Sequence, residues 1–194
     1  MIMDNLSDAE LKKIVDEVVS SLMREMPSQK MIPTAQKPAA GSKPQQVNTK
    51  VVAIGADHGG YPLKETLKSY LQELGYNPID CGTNSSESVD YPDFARAVAE
   101  QVASGKAWRG IMIDGAGIGS CMAANKVQGV RAAMCYDHAT AFNSREHNNA
   151  NTLTLGAGLI GPNLSKQIVK TFLETEFGGG RHAGRIAKIM EIEK

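Results

Sequence analysis

The chain has 194 residues, and its 21 basic and 21 acidic side chains give a formal charge of zero, so no basic surface for nucleic acid or a membrane is expected. Aromatic residues make up 5%, too few for the stacking platforms that hold single-stranded nucleic acid, and no apolar run approaches the roughly 20 residues of a bilayer span. Cys81, Cys121 and Cys135 lie far apart with no Cys-x-x-Cys pair, which points to reduced thiols in a cytoplasmic protein, not to a zinc or disulfide framework.

The first predicted element is a helix over residues 1–26. Leu11, Ile14, Val15, Val18, Val19 and Leu22 fall on one continuous stripe, Ser7 and Glu10 make a capping box, and Pro27 stops the run. Six acids against Lys12, Lys13 and Arg24 distinguish it from a basic presequence, and Met1 to Asn5 lacks the character of a secretory signal. Residues 27–49 turn to Pro, Gln, Lys, Ser, Ala and Gly, the composition of a flexible linker. A lone helix of this length is marginal in water, so its stripe needs a cover. That cover is its own domain, a second copy, or another protein that takes it as a helix in a groove.

Residues 50–194 alternate strand and helix. Strands are expected at Val51–Gly55, Tyr76–Asp80, Gly110–Ile113, Val130–Met134 and Thr152–Leu155. Helices are expected at Pro62–Leu74, Pro92–Ser104, from the glycine loop towards Lys126, at Ala139–Glu146, at Asn163–Glu176 and after Gly180. This pattern predicts an α/β fold in which helices cover both faces of a five-stranded parallel sheet. Right-handed crossovers then gather the strand-to-helix loops at one edge, with Asp57, His58, Thr83, Asp114 and the glycines after it.

Asp114-Gly-Ala-Gly-Ile-Gly follows a strand and opens a helix, so its amides can hold an anion or a sugar hydroxyl. Its third glycine comes one residue early for a dinucleotide fingerprint, and no acidic residue ends the next strand. Asp114 itself reads as a helix cap or as a general base in a dry mouth. Arg181 and Arg185, one turn apart behind three glycines, suit a phosphate or form a solvated basic end. His147 beside Asn148 is a catalytic candidate or a satisfied helix-end histidine. His138, after Tyr136-Asp137, reads as a surface or capping residue.

The segments Gly55-Ala-Asp-His-Gly-Gly60, Gly82-Thr-Asn through Asp90-Tyr-Pro92, Ala123-Ala-Asn-Lys126, Ser144-Arg-Glu-His-Asn-Asn-Ala-Asn151 and Gly179-Gly-Arg-His182 resemble the ribose-5-phosphate isomerase B family, which includes the galactose-6-phosphate isomerase subunits. The resemblance covers residues 50–194. It implies a Rossmann-like three-layer α/β/α domain and homodimers or homotetramers with active sites between subunits. It also implies aldose–ketose isomerisation of a sugar phosphate through an enediolate, without metal or cofactor. By position, His147 resembles the ring-opening residue, Asp57 and His58 the sugar contacts, and Asn148 an enediol contact. Gly115, Ala116, Gly117, Ile118 and Gly119 resemble the oxyanion cradle, and Arg181 and Arg185 the phosphate ligands.

The chain departs from that pattern where many members carry a cysteine base. Asp114 stands there, Ser120 occupies the position of a later glutamate base, Ala116 replaces a hydroxyl residue, and Gly158 replaces an arginine. The stretch Ile113 to Ser120 is closer to one galactose-6-phosphate isomerase subunit, which lacks the Asp-His pair kept here at Asp57-His58. The expected substrate is ribose 5-phosphate. The alternatives are another pentose or hexose phosphate, or a catalytically silent sugar-phosphate-binding scaffold. The first 26 residues resemble, by physical type, the encapsulation peptides that carry enzymes into bacterial microcompartments, which implies a shell or cargo protein as partner.

Overall fold

The computed structural model describes Lys12, Lys13, Glu17 and residues 51–193. Lys12, Lys13 and Glu17 are helical and exposed. The apolar stripe of the first helix and the expected linker lie outside the described residues.

From residue 51 the order is β1 (Val51–Ala56), α1 (Tyr61–Glu73), β2 (Asn77–Asp80), α2 (Tyr91–Ala103), β3 (Arg109–Asp114), α3 (Ile118–Ala124), β4 (Ala132–Met134), α4 (His138–Glu146), β5 (Thr152–Gly156), α5 (Pro162–Glu174) and α6 (Arg181–Glu191). The strands form one parallel sheet in the order β2-β1-β3-β5-β4. Local chemistry sets the helix starts. A proline stands in the first two positions of α1, α2 and α5, where a missing N–H costs nothing. Asp137 caps α4 by accepting from the Thr140 amide at 2.7 Å, and the Thr140 hydroxyl answers the Asp137 amide.

Strand alternation divides the core between two faces. Val52, Ile54, Ile111, Ile113, Leu153 and Leu155 meet α1, α4 and α5 through Leu67, Ala141, Ile168 and Phe172, all fully buried. Each such side chain contributes roughly 1.5–3 kcal/mol by leaving water. On the other face Ala53 and Met112 meet Val98 and Val102 of α2. There α2 lies close on the sheet because Gly55 and Gly110 lack side chains. A Cβ at either would stand 2.7 or 2.8 Å from Val98.

The chain order reverses between β1 and β3, since β2 lies outside one and β5 beyond the other. In open parallel sheets the cleft at such a point, beyond the carboxyl ends of the strands, is where ligands bind. Asp57 and Asp114 stand on its two sides. No helix among the described residues is long and apolar enough to cross a membrane.

Candidate active site

At the C-terminal edge of the sheet, β1 runs into buried Asp57, whose Oδ1 accepts the Gly60 amide at 2.9 Å. His58 follows, half-buried, with Nδ1 3.2 Å from both the carbonyl and the amide of Val89. That contact ties the first loop to the loop after β2, where Thr83 is also buried and donates its amide to Ala56 at 2.7 Å.

Asp114 ends β3 and is 4% exposed. Its Oδ1 accepts the amides of Ala116, at 2.8 Å, and Gly117. Its Oδ2 accepts the amide of Ser120, at 3.1 Å, and the Ser120 hydroxyl. The loop folds back onto its own carboxylate because Gly117 takes φ +80°, and a Cβ there would press to 2.9 Å from the Leu155 carbonyl carbon. The residue at the helix cap position is therefore Gly117, not Asp114, which serves the helix start from three residues upstream.

The expected oxyanion cradle is accordingly reduced. Ala116 and Gly117 give their amides to Asp114, whereas those of Gly115, Ile118 and Gly119 have no partner among the described residues. Gly59 lies against Gly115, and the Tyr91 ring covers Gly119. Asp57, His58, Asp114 and residues 115–119 are thus brought to one mouth.

His147, Asn148, Arg181 and Arg185 are not at that mouth. His147 and Asn148 follow α4 and precede β5, so they stand at the opposite, N-terminal edge of the sheet. Strand β5 pairs Thr152 with Gly110 and Gly156 with Asp114, and its length puts the two edges about 15 Å apart. His147 Nδ1 is 2.7 Å from Asn143 Nδ2, and its Nε2 is 3.2 Å from Glu146 Oε2. Asn148 Nδ2 donates to the carbonyl and side-chain oxygens of Asn143 at 3.2 and 3.1 Å.

Arg181 and Arg185 are exposed on α6 and flank His182, whose ring stacks on His147 at a centroid distance of 4.3 Å. Partial desolvation, then His147, Arg181 and Arg185, pull the His182 imidazole below its ordinary value against the pull of Glu146. Two exposed guanidinium groups stand one turn apart there, the kind of donors that suit a phosphate.

Sequence reasoning pointed to His182 with Arg181 and Arg185 but not to its stack on His147, and it did not single out two other neighbours. Ser120 was visible only as a replaced position. Tyr91 had no signal beyond its place before Pro92. The thiols stand apart from this chemistry. Burial pushes Cys81 and Cys135 up to about 11 each, and Cys121 turns its sulfur to the Ala132 carbonyl at 3.4 Å. Among the described residues no three His, Cys, Asp or Glu side chains gather as metal ligands would. A groove of about 920 Å³ runs along the free edge of β4, between α3, α4 and α6, and Asn148 is the one candidate residue on its wall.

The ribose/galactose isomerase family model matches residues 52–189. The chain is similar to Escherichia coli ribose-5-phosphate isomerase B, 43% identical over 145 residues that span 75% of this chain and 97% of the relative. It is also similar to a D-erythrulose-4-phosphate isomerase of Pectobacterium atrosepticum, 44% identical over 71% of this chain and 91% of the relative. Among solved structures, a Clostridium thermocellum ribose-5-phosphate isomerase B superposes with a TM-score of 0.73 at 54% identity, covering 74% of this chain and 97% of the other.

Proposed function

We propose that this chain, which belongs to the ribose/galactose isomerase family and is a sugar-phosphate isomerase, interconverts ribose 5-phosphate and ribulose 5-phosphate in sites built between two copies. The observation that carries the reading is the split of the candidate residues between two edges of one sheet. Asp57, His58, Asp114 and three free amides form one half, and His147, Asn148, Arg181 and Arg185 form the other. A pentose phosphate is shorter than the roughly 15 Å between them, so each edge must complete the opposite edge of a partner. Exposed Ile118, Met122, Tyr136 and Phe142 on and around α3 and α4 supply apolar surface for such a homodimer.

In this mechanism Arg181 and Arg185 hold the phosphate and His147 gives a proton to the ring oxygen as the hemiacetal opens. Asp114 then moves a proton between C2 and C1. A carboxylate offers about four lone-pair directions, and four donors fill those of Asp114. One donor must therefore leave before a C–H proton can be accepted. The Ser120 hydroxyl can rotate, whereas the three amides are fixed in the loop. The amides of Gly115, Ile118 and Gly119 remain to face the enediolate oxygens.

Residues 1–26 are assigned as a tag for a microcompartment shell or a fellow cargo protein. Removal of residues 1–48 should leave an active core, and fusion of those residues should carry a fluorescent protein into shells. A fusion that stays outside would end that assignment.

The test of the activity is proton NMR of the full chain with ribose 5-phosphate in D₂O, following ribulose 5-phosphate and deuterium entry at C2. Product with exchange, lost in Asp114→Asn, supports the reading. No exchange, with turnover of a tetrose or hexose phosphate instead, would move the substrate and keep the reaction class.

A further inference from the structure

We infer that His182 is a positioning residue for sugar-ring opening: stacked on His147, it fixes the plane in which that ring meets the sugar. The inference rests on the reading of His147 as the group that protonates the ring oxygen. Ring opening requires that the anomeric hydroxyl lose its proton to water and that C1–O4 break with its electron pair going to O4. The imidazolium proton of His147 satisfies O4, and His147 regains a proton from water, so the balance is closed.

For that step His147 must arrive cationic and correctly aimed. Two imidazoles lie face to face with centroids 4.3 Å apart and planes 7° from parallel. The surroundings of the two rings differ. His182 stands between Arg181 and Arg185 on α6, whereas His147 has Glu146 Oε2 3.2 Å from Nε2 and Asn143 against Nδ1. The charged groups facing the stack are therefore Glu146 on the His147 side and two arginines on the His182 side. A neutral ring against a cationic one is also an attractive contact in its own right.

The turn that delivers His182 is specific. Gly179 and Gly180 take φ +61° and +54°, a region that side chains rarely enter. The Gly178 amide is pinned to the Glu146 carbonyl at 2.9 Å. The same junction thus fixes the start of α6 to the end of α4 and sets one histidine over the other.

The experiment compares two reactions of one enzyme. Ribose 5-phosphate must open before it reacts, whereas ribulose 5-phosphate has no five-membered ring to open. Turnover of the first and deuterium exchange at C1 of the second are measured for the full chain and for His182→Ala, His182→Phe and His147→Asn. The expected result for His182→Ala is a loss of about tenfold or more on ribose 5-phosphate, the scale of a misplaced catalytic group, with ribulose exchange changed less than about twofold. His182→Phe restores a neutral ring to the stack, so it should recover most of the loss and move the acid limb of the ribose profile to lower pH.

Equal losses on both sugars, no loss in His182→Ala, or a Phe variant as poor as the Ala variant would each overturn the inference. The reading beneath it has its own control, since His147→Asn should show the same split between sugars. If His147→Asn lowers both reactions alike, that reading falls. Wild-type protein inactive on both sugars removes reading and inference together.

Discussion

The two edges of the sheet are organised by buried charges of opposite sign. At the C-terminal edge Asp114, 4% exposed, collects the amides of Ala116, Gly117 and Ser120 and the Ser120 hydroxyl. At the N-terminal edge Arg145, 1% exposed, donates to the Ala150 carbonyl at 2.5 Å, the Asn149 side chain at 2.9 Å and the Thr175 carbonyl at 3.2 Å. A carboxylate can only accept and a guanidinium can only donate. The first therefore suits a loop that opens a helix and presents spare N–H groups. The second suits the ends of helices, where carbonyls are left over. The unpartnered amides of the glycine loop lie outside this scaffold at one end, and His147 and Asn148 lie outside it at the other.

The sharpest way to break this comparison is Asp114→Asn. If Asp114 both folds the loop and moves the proton, turnover should fall by about 10²–10⁴-fold while the far-ultraviolet circular dichroism stays native. A smaller loss would leave Asp114 as scaffold alone, the counterpart of Arg145. Co-refolding Asp114→Asn with His147→Asn chains asks whether the edges work across copies. Two dead variants should regain about a quarter of wild-type activity, because half of the dimers are mixed and one of their two sites is intact. No regain would return both halves to one chain.

Arg145→Met should cost on the order of 3 kcal/mol in denaturant unfolding, because the buried Ala150 carbonyl and the half-buried Thr175 carbonyl lose their donor. Mutation of the scaffold at this edge should thus lower stability first, and mutation at the other edge turnover first. Ser120→Ala removes the one donor to Asp114 that can rotate. It should lower stability by about 1.5 kcal/mol and raise kcat. A fall in kcat would mean that the hydroxyl itself takes part in the proton transfer.

Much of this was readable before any coordinates. The apolar runs at Val51, Gly110 and Thr152, with prolines opening the helices after β1, β2 and β5, give the sheet and its layers with boundary shifts of one or two residues. The separation of Asp114 from His147 was implicit as well, since His147 precedes a strand and Asp114 ends one, which places them at opposite edges of any parallel sheet. Other features needed three dimensions. Whether Asp114 meets Ser120 depends on the left-handed turn at Gly117, and the His147–His182 stack depends on the turn through Gly179 and Gly180. Such contacts join residues whose separation in the chain follows neither helix nor strand period, so no periodicity announces them.

Acid offers the mildest way to separate the edges. Lys64, fully buried, holds Asp80 at 2.7 Å, Lys68 meets the same carboxylate at 2.5 Å, and Asp80 in turn accepts the Gly82 amide at 2.9 Å. That cluster supports the loop whose Val89 touches His58. Burial alone would raise the Asp80 carboxyl, but Lys64, Lys68 and the Gly82 amide outweigh it and hold it below its ordinary value. A depressed carboxyl contributes stability that is present above the unfolded value, about pH 4, and is lost as pH falls through the folded one. Lys68, raised chiefly by its bond to Asp80, contributes below its unfolded value and loses that contribution only as pH rises through the raised one. Below about pH 4 the loop after β2 should therefore gain hydrogen exchange while the turn at Ala150, held by an arginine, does not. Asp80→Asn should flatten that acid response. If both edges loosened together in acid, the cluster would not be a local support, and the two edges would belong to one cooperative unit.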